Sequence, residues 1–368
     1  MGAGGTVQGA NGFLTVDLAA LASNYGKLRS MVAPKRVAAV VKADAYGLGA
    51  VRVSLALQAE GCKQFFVANL MEALALQPAL ERDVQIFVLN GLQPGSETAC
   101  ARAGIFPVLN SVEQLRRWSS TADDLGRTLA AVLQFDTGMS RLGVAPDERP
   151  ELARCLNACG NVEVLFLMSH LASADETDSE QNCGQLAEML RIVDEFPGFD
   201  PCIANSGGIF LGPEYHGVLV RPGIALYGGR ATDAADNPMQ PVVKLEVAVI
   251  QTRIVPAGTS VGYGGAHLTS APARLATVAA GYADGLPLSL SGRGAVYYEG
   301  QRLPIVGRVS MDSTTIDITA LHEGALTLGS RVEVIGPNQT LEDIARDAGT
   351  ISYEILTSLG HRYARTYC

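Results

Sequence analysis

Short apolar runs recur along the first part of the chain, at residues 37–41, 65–68, 85–89, 106–109, 129–135, 162–168, 202–204 and 218–220. Each has the length of a strand. Between most of them lie stretches with apolar residues at three- and four-residue spacing, at 49–59, 70–80, 111–118, 148–159 and 180–195, which predicts helices. Another helix is predicted from about 17 to 31, following FLTVDL (13–18), with Asp17 as its N-cap. Strands that alternate with helices argue for a parallel sheet, and eight of them argue for a closed (β/α)8 barrel. The rival is an open doubly wound sheet, but no G-x-G-x-x-G follows the first strand to support it.

The texture changes in ATDAADNPMQP (231–241), a turn-rich linker. Strand-like runs follow at 242–255, 274–280, 295–298, 303–306, 314–318 and 331–335, and YYEGQRLP reads as a hairpin. TLEDIARDAGTISYEILTSLG reads as two short helices, with Thr340 and Asp343 placed as a capping box. The expected architecture is an N-terminal (β/α)8 TIM barrel, residues 1–238, followed by a C-terminal mostly-β domain, residues 239–368.

Composition narrows the function classes. With 48% hydrophobic and 18% charged residues, the chain can fill a large core. A net charge of −9 without a basic block argues against nucleic acid as a partner. The lead-in MGAGGTVQGANGF has neither a positive segment nor an apolar one, so no secretory signal is expected there, only a short disordered start. No apolar run reaches membrane-span length. The seven cysteines form an odd, unpatterned set with no histidines spaced as zinc ligands; they read as reduced thiols of a cytoplasmic protein, with no metal site.

Candidate chemistry begins with Lys42 in RVAAVVKADAYGLGA (36–50). A lysine at the tip of an apolar strand is costly unless its amine is paired, modified or used. Leu89, Asp136, Arg141, His170, Asn205, Ser206 and Arg221 also fall at or after strand ends. In a barrel those ends converge on the face where active sites are built. IANSGGIF (203–210) and VRPGIALYG (220–228) are turns whose amides suit an anion. A lysine across the barrel mouth from a phosphate cradle suggests pyridoxal phosphate held as a Schiff base.

The motifs AVVKADAYGLG, DTGMSRLG, NSGG, VRPGIALYG, VGYGG, GYADG, VGRVSMD and ISYE occur in order. Through them the sequence, from about residue 12 onward, resembles the alanine racemases, pyridoxal-phosphate enzymes of fold type III. The resemblance implies two-base interconversion of L- and D-alanine, for peptidoglycan or for alanine catabolism. It gives Lys42 as cofactor-bearing base and Tyr263 as the opposite base, contributed by the second subunit of a homodimer. It places Tyr46, Leu89, Asn205, Ser206, Tyr353, Gly223 and Ile224 around the cofactor, with Arg221 at its pyridine nitrogen and His170 beneath the ring. Arg141 would bind the substrate carboxylate with the Met311 backbone amide, and Tyr282, Met311 and Asp312 would come from the partner chain. Ile351 and Tyr282 would stand at the entrance, where bulk favours alanine over larger substrates. A free tyrosine has a pKa of about 10, so Tyr263 needs positive charge nearby, for which the Arg221–His170 link and Arg141 are the candidates.

Two positions depart from the family pattern. Gln134 stands where many members carry a carbamylated lysine, and is expected to help hold a small anion such as chloride, or a water, beside Arg141. Pro287 and Leu288 stand where a basic residue is expected near the entrance. Alternatives are a racemase acting on serine, lysine or arginine, a fold type III decarboxylase, and a single-domain pyridoxal-phosphate-binding protein. The VGYGG tyrosine argues against the decarboxylase, and the long segment after the linker against the binding protein.

Overall fold

The structure, a computed structural model, describes residues 9–233 and 236–368; most of the predicted lead-in and two linker residues lie outside them. The chain divides into a barrel unit, residues 21–226 and 230–239, and a β unit that joins residues up to 20 with 227–229 and 240–368.

In the barrel unit, β2 (Arg36–Val37) and β3 (Ala39–Val40) are two stretches of the first barrel strand. β4 (Gln64–Val67), β5 (Gln85–Val88), β6 (Phe106–Leu109), β7 (Leu129–Gln134), β8 (Val162–Met168), β9 (Pro201–Cys202) and β10 (Leu219–Val220) follow. Neighbours from β3 to β9 pair in parallel, and β10 pairs in parallel with β2. Main-chain bonds from Val218 to Pro201 and from Arg221 to Ala204 join the eighth strand to the seventh, and Ala38 to Val220 and Val40 to Pro222 join the first to the eighth. The ring of eight strands is closed. Its interior holds Phe66 and Phe87, both buried, with Phe66 stacked on Phe87 at 4.7 Å and Phe166 5.7 Å from Phe87, while Phe65, the next residue along β4, is buried on the opposite face.

The helices come where periodicity puts them, with exceptions, among them the short helix Ser206–Leu211 in a segment that reads from the sequence as a turn. The helix predicted at 111–118 runs on as Val112–Leu125, started by the Ser111 hydroxyl, which accepts the Gln114 N–H. A helix at Glu97–Ala103 has no counterpart in the prediction. Asp17 does cap the first helix, Leu18–Val32, accepting the Ala20 N–H at 2.8 Å.

The β unit is built on the long strand β11 (Val243–Val255), whose neighbours include β14 (Ala273–Val278) and β18 (Arg331–Ile335). A small hairpin, β12 (Ser260–Val261) and β13 (His267–Leu268), precedes β14. β15 (Ala295–Tyr298) and β16 (Gln301–Pro304) form the hairpin expected at YYEGQRLP, and β17 (Thr314–Asp317) pairs with β14. The last strand, β19 (Ala364–Tyr367), is parallel to β1 (Gly12–Val16), which is antiparallel to β11. Residues 12–16 are therefore a strand of the β unit, where the sequence reading groups them with the barrel. Their two partners lie beyond residue 240, so no local pattern reveals the pairing. Thr340 and Asp343 form the expected capping box, with Asp343 N–H on the Thr340 hydroxyl at 3.2 Å and Thr340 N–H on Asp343 Oδ2 at 3.0 Å.

Candidate active site

Lys42 follows β3 at the C-terminal face of the barrel, at the start of an unusual turn. Ala43, Asp44, Ala45 and Tyr46 have φ of 53°, 55°, 53° and 57°, a left-handed helical turn without a single glycine. Such a conformation costs roughly 1–2 kcal/mol per residue. Local and distant bonds offset it. Ala45 N–H reaches Val41 O at 2.9 Å, and Asp44 Oδ1 accepts the Ala50 N–H at 2.7 Å. Glu72 uses both carboxylate oxygens, accepting Ala43 N–H at 2.9 Å and Ala68 N–H at 2.7 Å, and so ties the turn to the end of β4. Strain held in place by this many partners points to a functional position. The Lys42 amine is held below its ordinary pKa, first by burial, then by the positive charges of Arg141 and Arg221; the Glu72 carboxylate opposes part of this.

Arg221, 3% exposed, is held by main-chain and side-chain acceptors. Its Nη1 donates to Cys202 O and Sγ, both at 3.0 Å, and its Nη2 to Ser169 O at 2.7 Å and to His170 Nδ1 at 3.3 Å. A guanidinium only donates, so His170 Nδ1 is the acceptor and any ring proton sits on Nε2. Burial, with Arg221, Arg141 and Lys42 nearby, lowers the His170 pKa to about 3. His170 is neutral at physiological pH. The positive charge expected from the Arg221–His170 link belongs to Arg221 alone.

Beside these groups lies a cradle of hydroxyls and amides. Ser206, buried, accepts the Gly223 N–H at 2.8 Å and the Ala225 N–H at 3.3 Å through its hydroxyl. Asn205 caps the helix Ser206–Leu211, accepting the Gly208 N–H at 3.0 Å. A Cβ at residue 223 would lie 2.1 Å from the Tyr46 hydroxyl, so only glycine lets that hydroxyl approach. Ile224 is fully buried behind it. Leu89, just past β5, is partly buried, and its carbonyl accepts Asn110 Nδ2 at 3.1 Å.

The Arg141 loop is shaped by Asp136, whose Oδ1 accepts the N–H groups of Gly138, Met139 and Ser140 at 2.9–3.1 Å. Arg141 is exposed, and among the described residues its guanidinium has no hydrogen-bond or ion-pair partner. Gln134, 5% exposed, likewise makes no side-chain hydrogen bond to a described residue. Gln185, a residue the sequence reading passes over, links the two loops: its Nε2 donates to Thr137 Oγ1 at 3.1 Å and His170 O at 2.9 Å, and its Oε1 accepts Ala172 N–H at 2.8 Å. The available signal was its place on the buried stripe Asn182, Gln185, Met189, Ile192 of the helix Glu180–Glu195. Glu72 gave none, since its role exists only through contacts made in the fold.

The remaining expected residues lie in the β unit. Tyr263 is 71% exposed, on a short turn between β12 and β13. Tyr282 and Met311 are exposed and held together, with Tyr282 N–H on Ser310 O and Ala283 N–H on Met311 O, both at 3.0 Å. Asp312 follows, bonded to Arg362. Ile351 and Tyr353 stand exposed at the start of the helix Ser352–Thr357, and Leu288 is exposed on its own short turn.

The barrel unit thus offers an amine with weakened proton affinity, a cradle of amides and hydroxyls and an unpaired guanidinium. Such an amine attacks a carbonyl group, such amides hold a phosphate, and such a guanidinium takes a carboxylate. All seven cysteines are free, and no helix among the described residues is long and apolar enough to cross a membrane.

Comparison with known proteins agrees along the chain. The family model "Alanine racemase, N-terminal domain" matches residues 16–231, and "Alanine racemase, C-terminal domain" matches residues 242–367. A catabolic alanine racemase of Rhizobium johnstonii is 69% identical over 98% of this chain and 96% of its own. One of Agrobacterium fabrum is 60% identical over 98% of this chain and 92% of its own. The crystal structure of alanine racemase from Bartonella henselae, with covalently bound pyridoxal phosphate, superposes with a TM-score of 0.94 at 43% identity, over 98% of this chain and 100% of that one. The chain belongs to the alanine racemase family.

Proposed function

We propose that the chain interconverts L- and D-alanine in a catabolic setting, with pyridoxal phosphate carried on Lys42 and an active site completed by a second copy of the chain. The observation that carries this reading is Lys42 itself: an amine of lowered pKa, on a strained and multiply anchored turn, with Arg141 and Arg221 beside it. The catabolic setting rests on the two relatives of 69% and 60% identity.

The residues fit the cofactor. Ser206, Tyr46 and the amides near Gly223 suit a phosphate group, and the close approach of Tyr46 to Gly223 leaves no room there for a larger residue. When bound, the cofactor draws electrons from the α-carbon of the amino acid joined to it and so acidifies its α-hydrogen. The protein then moves a proton on two faces. Lys42 Nζ takes or returns it on one, and the Tyr263 hydroxyl of the partner subunit does so on the other, because one base cannot serve both sides of a planar centre. Arg221 and Arg141 supply the positive charge that lets a tyrosine lose its proton near neutrality. Arg141, unpaired, takes the substrate carboxylate, and the Gln134 amide holds a small anion or a water beside it. The exposure of Tyr263, Tyr282, Met311 and Ile351 supports their use at a subunit interface.

The test is an absorbance spectrum of the lysine-bound cofactor together with a D/L-alanine assay, on wild type and on Lys42→Ala. Absorbance and racemisation present in wild type and both lost in the variant support the reading; racemisation retained in Lys42→Ala removes it. Kinetic comparison of L-alanine, L-serine and L-lysine tests the preference for a small side chain.

A further inference from the structure

The β unit contains a charged brace built on Arg362, a residue to which neither the sequence motifs nor the chemistry above gives a role. Arg362 grips Asp284 with two parallel bonds, Nε to Oδ1 at 2.7 Å and Nη2 to Oδ2 at 2.8 Å. Its remaining nitrogen, Nη1, donates to Asp312 Oδ1 at 2.6 Å. The two arms differ in surroundings: the side chain of Asp284 is 7% exposed, that of Asp312 61%. An exposed ion pair alone holds little. A fork on a desolvated carboxylate fixes the plane of the guanidinium, and the third donor is then aimed at Asp312.

What the brace holds is a short stretch of main chain. Asp284 Oδ2 accepts the Gly281 N–H at 3.0 Å, which closes the turn 281–284. That turn lies against residues 310–312 so closely that a Cβ on Gly281 would come 2.2 Å from Ser310 O. Tyr282 N–H and Ala283 N–H take the carbonyls of Ser310 and Met311. Both neighbours of the Met311 N–H are thus secured, by carbonyl bonds on one side and by the Asp312–Arg362 pair on the other. The Met311 N–H itself makes no hydrogen bond to any described residue. A clamped and unspent amide is a preorganised donor.

We propose that Arg362 is a positioning residue for alanine binding: through Asp312 it aims the Met311 amide at the substrate carboxylate. This rests on the racemase reading above. Arg362 touches neither substrate nor cofactor in this role.

The test uses the cofactor-loaded, dimeric enzyme at one protein concentration. Arg362→Lys keeps the charge but cannot grip Asp284 and reach Asp312 together. Asp312→Asn leaves the Arg362–Asp284 fork intact, so it tests the outer arm in a protein whose buried pair is unchanged. Each variant is expected to raise the KM for alanine about fivefold, with a smaller fall in kcat. The double variant is expected to be no worse than the worse single one, since both break one arm. Enantiomers have equal free energy in water, so kcat/KM must fall by the same factor in both directions. An unchanged KM in both single variants overturns the proposal, whether or not urea unfolding shows lost stability, and so do single effects that multiply in the double variant. A wild-type chain that does not racemise alanine overturns the functional reading first; a racemising wild type with unchanged variants overturns the brace alone.

Discussion

The residues proposed for the site differ in character between the barrel unit and the β unit. In the barrel unit Arg221 and Ser206 are sunk into the fold and already bonded, while Arg141 stays exposed and, among the described residues, unpaired: Arg221 is 3% exposed with four bonds, and Ser206 is 4% exposed with two. In the β unit Tyr263 is 71% exposed, Met311 53% and Tyr282 47%. Buried polar groups with satisfied bonds are fixed before a ligand arrives, and the protein meets their desolvation cost on folding. Exposed aromatic and thioether side chains gain by being covered. On the proposed reading, the barrel residues are prepared by folding and those of the β unit by association.

The sharpest way to break this contrast is to remove one base from each half. Lys42→Ala is expected to lower racemisation by roughly 10⁴-fold and Tyr263→Phe by roughly 10³-fold. Only the first should abolish the absorbance of lysine-bound cofactor. If Tyr263→Phe still racemises in both directions, the second base lies elsewhere. Mixing the two inactive variants sharpens the contrast further. If Tyr263 acts across the interface, a mixed dimer has one native pairing of Lys42 with the other chain's Tyr263, and an equal mixture should recover about a quarter of wild-type activity. No recovery after subunit exchange, checked by mass spectrometry, places both bases in one chain.

Smaller effects test the rigidity of the barrel half. Glu72→Gln weakens the tie between the left-handed turn and β4 and is expected to cost about 2 kcal/mol by urea unfolding. His170 has a folded pKa of about 3, below the ordinary histidine value of 6.5. The unfolded chain therefore binds a proton that the folded chain refuses between those two pH values. Stability should fall as pH drops from 6.5 towards 3, by up to about 1.4 kcal/mol per unit from this residue. His170→Gln should flatten that slope in unfolding curves taken at pH 4.5 and 7.5.

Much of the fold is legible in the sequence because its signals are local. The eight apolar runs, the Asp17 cap and the Thr340–Asp343 box are each set by residues within a few positions. The strand at Gly12–Val16 is not legible, since both its partners come far later in the chain. The turn at Ala43–Tyr46 hides for another reason: alanine and tyrosine carry no left-handed preference and one aspartate signals no run of four, so the conformation is imposed by the bonds of Glu72 and Asp44. At the site, the residue types announce Lys42, Arg141 and Arg221. The neutrality of His170 depends on burial beside a guanidinium, which only the fold supplies.

The place of β1 between β11 and β19 has a consequence for how the molecule comes into being. The chain starts the β sheet, leaves it to build a whole barrel, and returns to finish it. During synthesis the barrel unit can close as soon as its eighth strand is out, while β1 waits with both edges open until Val243–Val255 and then Ala364–Tyr367 arrive. The lysine's seat is therefore complete in the nascent chain well before the β unit that carries Tyr263.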